Sequence, residues 1–166
     1  MQTRFVIALG TGLTLALGGT ALAQTSPAAA PPSEYGPPIS NEQAKAVAAA
    51  AFAEAKKNSW RMAFSVVGPA GELIYFEKMD GTQMASAEMS HGKARTAVMF
   101  RRPSKAFADQ YAAGNTSFMT FPVQPVASEG GVLIVVDGKI IGAIGASGGT
   151  GQQDGLAASA GAAVAK

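Results

Sequence analysis

From Ser40 onward the apolar positions switch between the helical and the strand period, and the switches divide the chain into elements. Ala44, Val47, Ala48, Ala51, Phe52 and Ala55 recur at helical spacing behind Ser40-Asn41-Glu42-Gln43, which has the order of a capping box, and Lys56, Lys57 and Asn58 close the helix. Its apolar face is built of small residues, so it can lie close against a sheet. From Arg61 the period becomes two. Met62, Phe64 and Val66 alternate with Ala63, Ser65 and Val67, Gly68-Pro69-Ala70-Gly71 turns the chain, and Leu73 to Lys78 returns as the second strand of a hairpin. After Asp80-Gly81 the spacing predicts a long helix from about Gln83 to Arg102, stopped by Pro103 because the residue before a proline is pushed out of helical geometry. A short helix over Ser104 to Gln110 follows. Tyr111 to Ser128, with Pro122 and Pro125, reads as loop, and Phe118 to Phe121 is a candidate short edge strand.

The stretch from Gly130 to Asp154 carries the strongest pattern. Two β-branched apolar runs, Val132 to Val136 and Ile140 to Ile144, flank Asp137-Gly138, the sequence of a tight two-residue hairpin loop. Neither run alternates cleanly with polar residues, so the hairpin is expected to be central and covered on both faces. Gly145, Gly148 and Gly149 then loosen the backbone, and Thr150 with Gln153 has capping-box spacing for a last helix. Such a strand-to-helix junction is either a tight turn that binds nothing or a seat for an anion such as a carboxylate. The order of elements is α, hairpin, α, α, hairpin, α. The class is therefore α+β, with an antiparallel sheet of two hairpins, four to five strands, and helices on both faces.

Ahead of Ser40 the composition changes. Arg4, the largely apolar run Phe5 to Leu17, and Ala21-Leu22-Ala23 have the three parts of a secretory signal peptide, with cleavage expected after Ala23 and a periplasmic or secreted destination. The apolar run is too short and too rich in Gly and Thr for a stable membrane span. Residues 24–39, rich in Pro, Ala and Ser, read as a flexible leader, and residues 40–166 as one domain. Of the 13 basic residues only Arg4 precedes Gln24, and none of the 11 acidic ones does, which leaves 12 against 11 and a net charge of +1. That balance does not suit a nucleic-acid binder. There is no cysteine, which excludes disulfides and a lipid-modified cysteine anchor, so the fold rests on packing alone.

Candidate chemistry centres on the long helix. His91 is the only histidine, and Met84, Ala87, His91, Ala94 and Val98 share one stripe while Met89, Gly92, Thr96, Met99 and Phe100 fill much of the rest. A helix apolar nearly all round has to be covered twice, by the sheet and by a ligand or a second subunit. His91 beside Met89 suits an iron or haem ligand as well as a plain structural histidine. Lys93, Arg95, Arg101, Arg102 and Lys105 form a local basic cluster, either a solvated helix end or a cradle for carboxylates. No nucleophile-elbow spacing, multi-histidine set or dinucleotide fingerprint is present, so no catalytic residue is assigned.

Lys93-Ala94-Arg95-Thr96-Ala97, Phe100-Arg101-Arg102-Pro103-Ser104, Gly130-Gly131-Val132, Val135-Val136-Asp137-Gly138 and Ile141 to Gly149 with Asp154 together resemble the GlcG/HbpS haem-binding family, whose domain carries a "haem-degrading" label. Met79-Asp80-Gly81 after Tyr75-Phe76-Glu77 agrees. The resemblance spans essentially Ser40 to Lys166 and implies a profilin-like three-layer α/β/α sandwich that assembles into homo-oligomers, commonly octamers, with haem or, in some members, a corrinoid as ligand. It leads us to expect a binding protein more than an enzyme, with roles in iron or haem handling or redox sensing. The residues expected at the tetrapyrrole are His91 as iron ligand, with Met89, Lys93, Arg95, Ser147 and Gly148 around it. The competing expectation is a small carboxylate, bound or turned over, held between the Gly145 to Thr150 junction and the basic residues near Arg95, as in glycolate-type metabolism.

Overall fold

The structure, a computed structural model, describes residues 34–166. The signal-peptide reading and most of the leader lie outside the described residues. Four helices, α1 (Asn41–Lys57), α2 (Ser86–Phe100), α3 (Lys105–Ala112) and α4 (Gly151–Ala162), and four strands, β1 (Ala63–Val67), β2 (Leu73–Lys78), β3 (Gly131–Val136) and β4 (Lys139–Ser147), make an α+β fold. The strands form one antiparallel sheet in the order β2-β1-β4-β3, with both hairpins as expected and β1 joined to β4 across the middle. Helices α1 and α4 pack together on one face and α2 lies on the other, which gives three layers.

Local chemistry accounts for the ends of the elements. Ser40 and Gln43 cap α1 reciprocally, and Thr150 and Gln153 do the same for α4. Asp137 and Gly138 both take positive φ, 50° and 73°, the geometry of a two-residue hairpin loop. Helix α2 ends two residues earlier than expected, because Arg101 turns into the left-handed region at φ 50° and the amide of Arg102 bonds back to the carbonyl of Ala97.

The sheet is less symmetrical than the sequence pattern suggests. Strands β1 and β4 are buried at nearly every position, whereas β3, although apolar, is an edge strand with Val135 exposed. Only β4 of the second hairpin is central. Phe118 to Phe121 does not extend the sheet: Ser117–Thr120 is a short 3₁₀ turn that buries Phe118 edge-on against Phe107, 5.5 Å between centroids. The Asn115 side chain accepts from both the amide and the hydroxyl of Ser117, and this coils the backbone away from a strand. Glu34 to Ile39, assigned by composition to the leader, runs along β4. The amides of Gly36 and Ile39 bond to Ile140 and Ile141, and Ile39 is buried.

Helix α2 reaches the sheet through glycines. Gly131 of β3 and Gly145 of β4 are cross-strand partners, and a methyl group on either would meet α2 backbone, the Lys93 carbonyl oxygen at 2.1 Å and the Ser90 carbonyl oxygen at 1.9 Å. The pair is a platform without side chains on which α2 rests. Ala94, Ala97 and Val98 then fill the space beside it with Val67, Ile140 and Ala143. Among the described residues no helix is long and apolar enough to cross a membrane.

Candidate functional site

On its outer side, away from the sheet, α2 carries Glu88, His91, Arg95 and Met99. Residues 122–126 rise beside it and close a half-open cavity of about 450 Å³, lined from α2 by Glu88, His91, Gly92, Arg95, Thr96, Met99 and Phe100. Ligand pockets fall in the range of about 300–1,000 Å³. The wall is fixed to the helix by one bond, from the amide of Val126 to the Thr96 hydroxyl at 2.8 Å, while that hydroxyl donates to the Gly92 carbonyl. Gly92 allows the approach, since a methyl group there would stand 2.8 Å from Val126. Behind the wall, Phe100 packs edge-on against Phe107 at 4.9 Å and stacks with Phe121 at 6.3 Å.

His91 stands between this cavity and a smaller apolar one of about 250 Å³ formed with Ser65, Leu73, Phe76, Ala87 and Glu88. Its Nε2 is buried and has no hydrogen-bond partner among the described residues. An unpartnered buried imidazole nitrogen is costly to keep, and such an atom is a candidate for a ligand. Arg95, one helical turn on, is exposed and carries positive charge at the cavity, its guanidinium 3.9 Å from the Met99 sulfur.

Of the residues expected at the ligand, the structure brings His91 and Arg95 together and sends the others elsewhere. Met89, half-buried, does not line the cavity; the stripe that does runs through Gly92, Thr96, Met99 and Phe100. Lys93 points the opposite way. It is buried and pairs with Asp154 of α4 at 2.7 Å, both side chains about 3 % exposed or less, so it belongs neither to the basic cluster nor to a ligand cradle. Ser147 and Gly148 lie at the end of β4 against Arg61 and Met62, away from α2's outer face.

The junction into α4 is also settled by this pair. The amide of Gly149 donates to the Asp154 carboxylate at 2.9 Å, and that of Thr150 donates to Gln153. The anion seat is thus filled by the chain's own carboxylate, and a substrate carboxylate would have to compete with a side chain fixed by the helix. Burial pushes the Asp154 carboxyl above its ordinary value, against the pull of Lys93 and of the Gly149 and Gly148 amides. Among the described residues no three His, Asp or Glu side chains gather as a metal site. Sequence reasoning missed the 122–126 wall. Pro122-Val123-Gln124-Pro125-Val126 has no helical or strand period, so no local signal places Val126 against Gly92.

The fold is a small α/β/α domain with a cavity on the outer side of α2. The chain belongs to the HbpS-like family, described as haem-degrading protein HbpS-like, whose profile matches residues 39–163. Protein GlcG of Escherichia coli is 43% identical over 109 residues, 66% of this chain and 81% of that protein. Among solved structures, a double mutant of HbpS from Streptomyces reticuli superposes with a TM-score of 0.70 at 26% identity, covering 95% of this chain and 99% of the other. PduOC, solved as a haem complex, superposes with a TM-score of 0.69 at 25% identity, covering 76% of this chain and 94% of that one.

Proposed function

We propose that the protein binds haem in the cavity between α2 and residues 122–126. The observation that carries this reading is a cavity of about 450 Å³ lined by His91, whose Nε2 has no hydrogen-bond partner among the described residues, with apolar walls beside the polar Glu88, Arg95, Thr96 and Gln124. Imidazole is a common proximal ligand of haem iron. Met99, Phe100, Pro122, Val123 and Val126 offer the apolar surface that a macrocycle needs. Charge orients it: Arg95 favours the propionate edge, and Glu88, about 10 Å away along the helix at 1.5 Å per residue, disfavours it. The family and the haem complex of PduOC support the same ligand. Haem bound here would supply an iron centre for redox or oxygen chemistry; the chain's own part is to hold and orient it.

Titrating haemin into the protein is expected to give a saturable Soret shift. His91→Ala should weaken binding by about tenfold or more, about 1.4 kcal/mol or more, and change the band positions. A wild-type protein without a saturable shift ends the reading; an unchanged spectrum in His91→Ala removes the iron-ligand assignment.

The same proposal includes self-association and export. Leu73 and Phe76 of the edge strand β2 are exposed beside the smaller cavity, and Met84 ahead of α2 is 86% exposed, an apolar surface of the kind that interfaces cover. A symmetric homo-oligomer built on a dimer is the economical way to cover it. Light scattering is expected to give a mass of at least two chains, and a monomer at micromolar concentration with or without haemin would refute this. The signal-like residues 1–23 support a periplasmic or secreted location, where the protein would handle haem iron or sense its redox state.

A further inference from the structure

A second cleft, of about 460 Å³, opens on the face of the sheet opposite α2, where the end of α1 meets the start of β1 and the end of β2. Phe52, Trp60 and Met79 line it; all three are half-buried and pack on the core beneath α1. Its wall is held by backbone. Ser59 takes a left-handed conformation at φ 59°, and the Trp60 amide bonds back to the Ala55 carbonyl at 2.9 Å, which sets the indole at the cleft. Across from it, the Met79 amide bonds to the Met62 carbonyl at 3.0 Å.

The rim is positively charged. Lys56, Arg61 and Lys78 line the cleft with Asp80 as its single acidic residue, and among the described residues no ion pair engages any of the three cations. Lys56 has a structural reason to be there, since it stands in the last turn of α1 where helix carbonyls favour a cation. Arg61 and Lys78 have none. They are brought together because Arg61 leads into β1, whose first residue Ala63 pairs with Lys78. Aromatic faces beside unpaired cations, one of them a guanidinium fork, match one chemistry: a flat apolar ring bearing a carboxylate. The ring needs the indole and phenyl surfaces, and the carboxylate needs Arg61 and Lys78. An inorganic anion would leave the apolar wall unused, and a neutral ring would leave the cations unpaired.

We propose that the cleft formed by Phe52, Trp60, Arg61 and Lys78 is a second ligand site, specific for small aromatic carboxylates and separate from the α2 cavity. Trp60 is the only tryptophan of the chain, so its fluorescence reports on this cleft directly. Benzoate is the probe, with benzamide and sulfate as comparators of the same ring and of charge alone. Benzoate is expected to change the emission saturably in the millimolar range, and benzamide and sulfate are not. Arg61→Gln and Lys78→Gln should each weaken the benzoate response by about tenfold or more, the loss of one charge-assisted hydrogen bond. Arg61 is exposed and Lys78 half-buried, so both variants should keep the wild-type thermal midpoint and bind haemin as the wild type does. A linear, non-saturating response, an equal response to benzamide, an unchanged response in both variants, or competition between haemin and benzoate would each overturn the proposal. A failure of haemin binding with benzoate binding intact would overturn only the haem reading.

Discussion

Asp154→Ala is expected to destabilise the protein by about 3–5 kcal/mol, because it leaves the Lys93 ammonium buried without its partner. The chain pays for desolvating both groups and recovers the cost through one short ion pair and the bond from the Gly149 amide. Asp154→Asn separates the two contributions: it can keep an acceptor for Gly149 while removing the charge, so it should fall between the wild type and the alanine variant. Replacing the pair together, as in Lys93→Met with Asp154→Leu, should recover most of the loss, since a well-packed apolar pair is often no worse than a buried ion pair. Denaturant titration of the four proteins checks this. A single variant within about 1 kcal/mol of the wild type would mean that Lys93 reaches solvent or another acceptor once Asp154 is gone, and the pair would not be what ties α2 to α4.

That pair marks the boundary of what the sequence discloses. Both capping boxes, the Asp137-Gly138 turn and the stop before Pro103 depend on neighbours within a few residues, and the structure bears them out, the helix end shifted only by the left-handed Arg101. Lys93 and Asp154 stand 61 positions apart, and nothing local distinguishes a lysine destined for the core from one on a basic surface. Both therefore looked available for a ligand, Lys93 as part of a cradle and the α4 junction as an anion seat. The order of strands has the same cause. Val132 to Val136 is as apolar as Ile140 to Ile144, yet only the latter strand is central, because β4 pairs with β1 across the sheet while β3 pairs with β4 alone. Of the candidate site, His91 was singled out as the only histidine and Arg95 as one of a basic cluster, while Ala94 and Val98, set in one stripe with His91, turn to the core instead. The wall at residues 122–126 was not legible, since its position depends on Val126 meeting Thr96 and Gly92 from a segment with no periodicity of its own.

Gly145→Ala is the substitution expected to move the whole α2 layer. Its methyl group would stand 1.9 Å from the Ser90 carbonyl oxygen and 2.7 Å from the Ala94 nitrogen, and both are backbone atoms of a helix that has no side chain to rotate away. Relief requires lifting α2 from β4, which also separates Ala94, Ala97 and Val98 from Val67 and Ala143. The cost should reach or exceed the upper end of the about 1–3 kcal/mol usual for overpacking, with Gly145→Val worse. Gly114→Ala is the proper comparison. That residue also has positive φ, 82°, but nothing lies within 4 Å of the added methyl group, so only backbone strain of about 1–2 kcal/mol is expected. The two variants differ in function as well as in stability. Gly114 does not line the α2 cavity, whereas the lifted helix carries His91, Gly92, Arg95, Thr96 and Met99 with it and strains the bond from Val126 to Thr96. Gly145→Ala should therefore lose haemin affinity under conditions where it is still folded, and Gly114→Ala should not. Equal thermal midpoints for the two variants would show that α2 does not rest on the glycine pair, and the geometric origin assigned to the cavity would fall with it.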